Sequence, residues 1–317
     1  MVLSRSRNPG WSLMSERSHW YRIGHTSHLE DCTGCTVVVF DGMPPAVADV
    51  RGGAPGTREI ELLQPGRQVG KVNAIVLTGG SAFGLAAADG VVRWLAEHGI
   101  GFPTRFGPVP IVPGAVIFDL GFGEPRHVLP DDGYAAARSA TYTDRRTGRI
   151  GAGSGATVAK LSGAATPGGL GIATVRVGDN DVTAIVVLNA LGDIRDPETG
   201  RWLARATDPR GARQTGREMA VAAQTRSSAV ENTTIGIVLI DGAASRDAMV
   251  RCAISAHDAL ARCVVPAHTL FDGDTFFVVA QSEGSSSPGE ILALASATEI
   301  AVERAIVGLF PEPFDES

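Results

Sequence analysis

The chain has 317 residues and a mass of 32.9 kDa; 44% of the residues are hydrophobic and 20% charged, enough apolar material for a large core, which excludes a disordered polypeptide. The net charge is −6 and the pI is near 5.7, so the basic face of a nucleic-acid binder is missing and no nucleic-acid partner is expected. Glycine contributes 39 residues with no Gly-X-Y period, which excludes collagen and predicts tight turns and close backbone approaches between apolar runs.

Residues 1–17 carry scattered Arg and Ser without the apolar core of a signal peptide. They read as a loose extension, with Met14 as an alternative start. From residue 18 onward the chain is expected to form one domain. Short β-branched runs bounded by Gly, Asp, Asn or Pro predict strands at Thr36–Phe40, Ala46–Val50, Ala74–Leu77, Val109–Val112 and Ala115–Phe118. Further strands are predicted at Val182–Leu188, Ile235–Ile240 and Thr275–Val279. Helical periodicity appears at Phe83–Glu97, Asp132–Ala140, Arg217–Gln224, Ser245–Cys263 and Pro288–Leu309. Ser245 suits an N-cap, and Thr298 is the one polar member of the last helix's apolar stripe. Asp193–Arg213, polar and turn-rich, is expected to be a long exposed loop. The order lacks regular βαβ alternation, which points to α+β layers rather than a dinucleotide-binding sheet.

No apolar run reaches the ~18–20 residues of a membrane helix, so no membrane partner is expected. Ile291–Phe310 comes nearest and is broken by Glu299, Glu303 and Arg304. Cys32-Thr-Gly-Cys35 has redox or zinc spacing, but no second such pair exists, and Cys252 and Cys263 are eleven apart. Reduced, partly buried thiols in a cytoplasmic protein are the expectation, with no metal and no cofactor.

Three clusters have chemical content. Thr78-Gly-Gly-Ser-Ala-Phe-Gly-Leu85 follows a strand and opens a helix, so its N–H groups can meet an anion, pack a tight turn or wall a site. Gly151-Ala-Gly-Ser-Gly-Ala-Thr-Val-Ala-Lys160 ends a run of small residues in a lysine. On the surface Lys160 is a solvated charge; in a glycine-lined pocket it stabilises an oxyanion or meets a reacting amine. The third is Glu231-Asn-Thr-Thr-Ile-Gly-Ile-Val-Leu-Ile-Asp241. Asn232-Thr-Thr there is either a plain strand start or a latent N-terminal nucleophile. Cleavage at Asn232–Thr233 would give the Thr233 hydroxyl its own α-amine as a base, with a pKa of roughly 7.7–8.0. Downstream, Asp272 and Asp274 straddle one glycine; they can bind a metal, hold an amine, tune one another or simply form a turn.

Together these stretches resemble peptidase family S58, the self-processing aminopeptidases and amidases of the DmpA type. Asp49-Val-Arg-Gly-Gly-Ala-Pro-Gly-Thr-Arg-Glu59, Ala74–Leu85, Val109–Asp119, Gly151–Lys160, Asn232–Val238 and Ala267–Asp274 occur in family order, from about Gly24 to the C-terminus. The resemblance implies a four-layer α/β/β/α sandwich of the kind shared with ornithine acetyltransferases. It also implies one autocatalytic cut, at Asn232–Thr233, into an α segment 1–232 and a β segment 233–317 within a single catalytic domain. Homo-oligomers, tetramers or larger, are implied as well. The roles it implies are Thr233 as nucleophile, Asn189 at the oxyanion site, Lys160 beside the nucleophile, and Asp272 and Asp274 orienting the new amine. Ser81, Phe83 and Phe118 are the candidate substrate-pocket residues. Phe118 replaces the tyrosine of the nylon-oligomer hydrolase branch, which the Asn-Thr-Thr site otherwise resembles. The expected activity is hydrolysis of short peptides, amino-acid amides or esters with a free amine. The alternatives are an acyl transferase of the ornithine-acetyltransferase type and a non-catalytic relative.

Overall fold

The structure is a computed structural model that describes residues 20–123, 126–162, 165–206, 215–222 and 232–311. The sequence-predicted extension 1–17 and the ends of two predicted elements, 207–213 and 223–224, lie outside the described residues. Ten strands form two sheets. They are β1 (Tyr21–His28), β2 (Thr33–Phe40), β3 (Ala46–Val50), β4 (Thr57–Arg58), β5 (Ala74–Thr78), β6 (Gly114–Val116), β7 (Gly169–Val177), β8 (Asn180–Leu188), β9 (Ile235–Ala244) and β10 (Thr275–Glu283). Four helices cover them: α1 (Ala87–Glu97), α2 (Pro130–Ser139), α3 (Arg246–Cys263) and α4 (Pro288–Val307). The first sheet runs β1-β2-β5-β6-β4 and the second β7-β8-β9-β10-β3. Each is antiparallel except at its centre, where β5 with β6, and β9 with β10, run parallel. Because β3 leaves the first sheet to edge the second and β4 returns, neither sheet is built from one continuous stretch of chain.

Side-chain alternation along the strands builds the layers. Val38 and Phe40 of β2 and Ile75 and Leu77 of β5 meet Ile185, Val187, Ile235, Ile237, Leu239, Phe277 and Val279 between the sheets. The opposite face of the first sheet, Cys35, Val37, Val39 and Val76, packs on Val91, Trp94 and Leu95 of α1 and on Ala136 and Ala137 of α2. The opposite face of the second, Val182, Ala184, Val238, Ile240, Phe276 and Val278, packs on α3 and α4. Strands buried on both faces must be apolar throughout, which is why β2 and β9 are the strongest strand signals in the sequence. This is the expected α/β/β/α sandwich. At Gly236 a Cβ would come within 2.4 Å of the Phe276 ring, so the glycine makes room for its neighbour strand's aromatic side chain.

Helix ends follow the sequence. Ser245 accepts from the Ala248 N–H at 3.2 Å and caps α3. Ser287 and Glu290 exchange bonds in a capping box at α4, with Pro288 in the first turn. Thr298 is fully buried on α4 and returns its hydroxyl to the Leu294 carbonyl at 2.8 Å.

Several expectations are corrected. The predicted Phe83–Glu97 helix is a short turn at Ser81–Gly84 followed by α1. Of the Val109–Val112 run only Val109 is in a strand, as the end of a hairpin that pairs Phe102–Thr104 with Gly107–Val109, and the Ala115–Phe118 strand is the shorter β6. Asp193–Arg213 is not simply an exposed loop. Asp193–Arg195 pairs with Trp202–Ala204, and the buried Asp193 carboxylate accepts from the Ala206 and Gly216 N–H groups at 2.8 and 2.6 Å. Those bonds satisfy the carboxylate and pin the segment to the body.

Candidate functional site

The site lies where three neighbouring strands of the second sheet end together. β9 and β10 run parallel, so the residues just before them, Asn232–Thr234 and Asp272–Asp274, lie side by side; Asn232 and Asp272 form a bridge. β8 runs antiparallel to β9, so Asn189, just past its end, meets the same point. The Thr233 N–H donates to the Asn189 carbonyl at 2.9 Å, extending the ladder by one bond. The topology therefore brings Thr233, Asn189, Asp272 and Asp274 into one cluster.

Thr233 is only 5% exposed. Its hydroxyl donates to the carbonyl oxygen of Asn232, the residue before it. That same oxygen accepts the Gly273 N–H at 3.1 Å. A Cβ at Gly273 would stand 2.8 Å from Thr233 Oγ1 and 2.7 Å from the Ala54 carbonyl, so only glycine lets the two segments close on each other. Gly52 is just as constrained: its Cβ would fall 2.2 Å from the Asp272 carbonyl.

Lys160 is 8% exposed, in a short turn at Lys160–Ser162. Its backbone N–H donates to the Leu191 carbonyl at 3.0 Å and its Nζ to Asn189 Oδ1 at 2.8 Å. The surface-charge reading of Lys160 is thereby excluded. Burial lowers its pKa from 10.5 to about 7, against the attraction of Asp272 and Asp119. Asn189 Oδ1 also accepts from the Thr157 N–H at 3.0 Å, and its Nδ2 donates to the Phe118 carbonyl at 3.0 Å. The amide is thus fixed in orientation and keeps one N–H of its two.

The two carboxylates have separate neighbours. Asp272 Oδ2 accepts from the Thr269 N–H and hydroxyl, and burial, then the charge of Asp274, raises its pKa. Asp274 Oδ1 accepts from the Thr234 N–H at 2.8 Å, and its Oδ2 accepts from His268. Sequence reasoning passed over His268, as it did Asp119. Asp119 is buried, accepting from Thr33 Oγ1 and from the Gly80 N–H, each at 2.7 Å, and burial raises its pKa. A Cβ at Gly79 would stand 2.0 Å from Asp119 Oδ2. The anion served by the Thr78–Leu85 turn is therefore the protein's own carboxylate. Thr33 lies 86 residues from Asp119, so no local pattern announces the pair.

The candidate pocket residues are less tightly gathered. Phe118 reaches the site through its carbonyl; Ser81 donates its N–H to the Ile117 carbonyl at 3.0 Å. Phe83 is 57% exposed and stacks on His127 with ring centroids 4.0 Å apart. Leu270 and Phe271, just before Asp272 in the chain, are exposed apolar side chains. Cys35, Cys252 and Cys263 are buried free thiols whose pKa values burial raises, Cys252 to about 11 and Cys263 to about 12.

The model of Peptidase family S58 matches residues 21–310. An uncharacterized aminopeptidase of Mycobacterium tuberculosis is 41% identical over 297 residues, spanning 88% of this chain and 85% of the relative. A 6-aminohexanoate-oligomer endohydrolase of a Kocuria species is 32% identical over 268 residues, 82% of this chain and 73% of that one. Among solved structures, the β-aminopeptidase of a Burkholderia species superposes with a TM-score of 0.67 at 19% identity, covering 92% of this chain and 84% of the other. The L-aminopeptidase D-Ala-esterase/amidase of Ochrobactrum anthropi, a variant of the Ntn hydrolase fold, gives 0.68 at 16% identity, covering 91% and 83%. These two likenesses establish the fold.

Proposed function

The chain belongs to peptidase family S58, and from that premise we propose that it is an amide hydrolase that cuts its own Asn232–Thr233 bond and then works through Thr233 as an N-terminal nucleophile. One observation carries the reading: the buried Thr233 hydroxyl rests on the carbonyl oxygen of Asn232, and the Gly273 N–H donates to that same oxygen. That arrangement supports a reading in which nucleophile, scissile carbonyl and oxyanion donor are assembled before any substrate arrives.

In the uncut chain the Thr233 nitrogen is an amide and cannot act as a base. Asp272 and Asp274 are already engaged by N–H and O–H donors. Lys160, with a neutral amine available near pH 7, is the group we assign to take the hydroxyl proton. The oxygen attacks the Asn232 carbon, the C–N bond breaks as the Thr233 nitrogen gains a proton, and water hydrolyses the resulting ester. The freed α-amine then serves as base in turnover. Thr233 attacks the incoming amide carbon, and its hydroxyl proton passes through the α-amine to the departing amine as the C–N bond breaks. Water then hydrolyses the acyl-enzyme ester, and the remaining Asn189 N–H supports the oxyanions. Removing one such donor costs about 3–4 kcal/mol of transition-state stabilisation.

The substrates assigned are short peptides, amino-acid amides or esters with a free amine, in keeping with the aminopeptidase relatives. Among the described residues no helix is long and apolar enough to cross a membrane. The reading includes a cytoplasmic homo-oligomer, with the exposed Leu270 and Phe271 available to a neighbouring subunit. The experiment is amide release from a panel of L-, D- and β-amino-acid amides by the wild type and by Thr233→Ala. Release by the wild type alone supports the proposal. Equal release by both rejects it.

A further inference from the structure

His268 takes no part in the steps above, yet it contacts the carboxylate beside the nucleophile. Its Nδ1 stands 2.7 Å from Asp274 Oδ2, and its backbone N–H donates to the same oxygen at 3.2 Å. Its Nε2 faces the His257 carbonyl at 3.4 Å. An ionised carboxylate and a peptide carbonyl both only accept. Both ring nitrogens therefore need protons, and the geometry calls for an imidazolium. Asp274 spends its other oxygen on the Thr234 N–H at 2.8 Å. His268 itself has φ +53°, a conformation an L side chain adopts at a cost.

We propose that His268 is a positioning residue, a doubly protonated ring that holds the Asp274 carboxylate against the Thr234 N–H and so fixes Thr233. The proposal rests on the nucleophile role of Thr233 argued above. Asp274 and Asp272 come from the same loop as His268, and His257 comes from α3, its ring 4.9 Å away. Asp49 of β3 offers its carbonyl to His257 Nε2 at 3.1 Å. His257 donates there, its Nδ1 is buried without a hydrogen-bond partner among the described residues, and burial lowers its pKa to about 4, so it stays neutral. For His268, burial opposes the charge, and the Asp274 bond and charge outweigh it and raise the pKa above 6.5. A raised folded pKa gives a contribution fully present below 6.5 and lost as pH rises through the folded value.

The test uses His268→Asn, which keeps a donor near the Nδ1 position and tolerates positive φ but carries no charge. Melting temperatures of Thr233→Ala with and without this change are compared from pH 5.5 to 9. The advantage of the histidine chain is expected to shrink as pH rises. A difference that stays flat overturns the ion pair. In the cleaving background, His268→Asn should still cut and hydrolyse amides while losing the alkaline fall of the wild-type rate profile. His268→Ala should be slower than His268→Asn by about 10- to 100-fold, the upper end being the cost of a 1 Å misplacement at a reacting centre. An unchanged alkaline limb, or equal rates for Asn and Ala, also overturns the proposal. Should His268→Asn not fold, His268→Gln is read on the same two curves. A wild type that neither cuts nor hydrolyses defeats the hydrolase reading by itself, and the melting comparison still accepts or rejects the pair.

Discussion

Replacing Lys160 by Met tests the buried amine without reference to activity. In the folded chain the lysine loses its proton at about 7, whereas the unfolded side chain does so near 10.5. Between those values the unfolded state binds one more proton, so stability rises by about 1.36 kcal/mol per pH unit. The sign follows: the cost of burying Lys160 is fully present below pH 7 and disappears as pH passes the unfolded value. Carried through both protonation equilibria, the cost is about 4 kcal/mol at pH 7.5 and about 1 kcal/mol at pH 9.5. Methionine has a similar volume and no proton to lose. With Thr233→Ala as the common background, both chains stay uncut and differ at one side chain. Urea unfolding of the pair at pH 7.5, 8.5 and 9.5 should show the lysine chain gaining about 2–3 kcal/mol on the methionine chain across that range. Loss of the Asn189 bond shifts the whole comparison by a constant of about 1 kcal/mol and leaves its slope untouched. A difference independent of pH would refute the depressed amine and with it the assignment of Lys160 as base.

The remaining expectations concern the scaffold of the site. Asp119→Asn removes one of the two carboxylates that favour the charged form of Lys160, so the acid limb of the self-cleavage rate should move to lower pH in a pH-jump experiment. Gly79→Ala puts a methyl 2.0 Å from Asp119 Oδ2 and should cost about 2–3 kcal/mol in urea unfolding, by displacing a buried carboxylate from its donors. Ser245→Ala removes the α3 cap and should cost about 1 kcal/mol by the same measurement while leaving amide release unchanged.

Much of the fold is visible in the chain because its central strands are buried on both faces. The runs at Ile235–Ile240 and Thr275–Val279 can be nothing but buried, and both are strands where predicted. The strands that escaped notice are less apolar for physical reasons. β1 is an edge strand with partly exposed polar positions. In β7, Gly171 carries no side chain because a Cβ would stand 2.0 Å from the Ala305 carbonyl of α4, and that glycine weakens the strand pattern. In the site, Thr233, Asn189, Lys160, Asp272 and Asp274 do come together. What pattern alone could not show was the environment of Lys160, which is made by Asn189 and Leu191 from another strand end. Asp119 was equally hidden, since Thr33 and Gly80 reach it across the first sheet. His268 stood beside Asp272 and Asp274 in the sequence, but its role depends on a ring orientation that spacing does not encode.

The intact mass of the purified protein, set beside that of Thr233→Ala, bears most directly on the central claim. Two fragments, the second beginning with an unblocked Thr233, are expected for the wild type, and one uncut chain for the variant. A wild type that hydrolyses amides as a single intact polypeptide, or a Thr233→Ala chain cut at the same bond, would contradict the account.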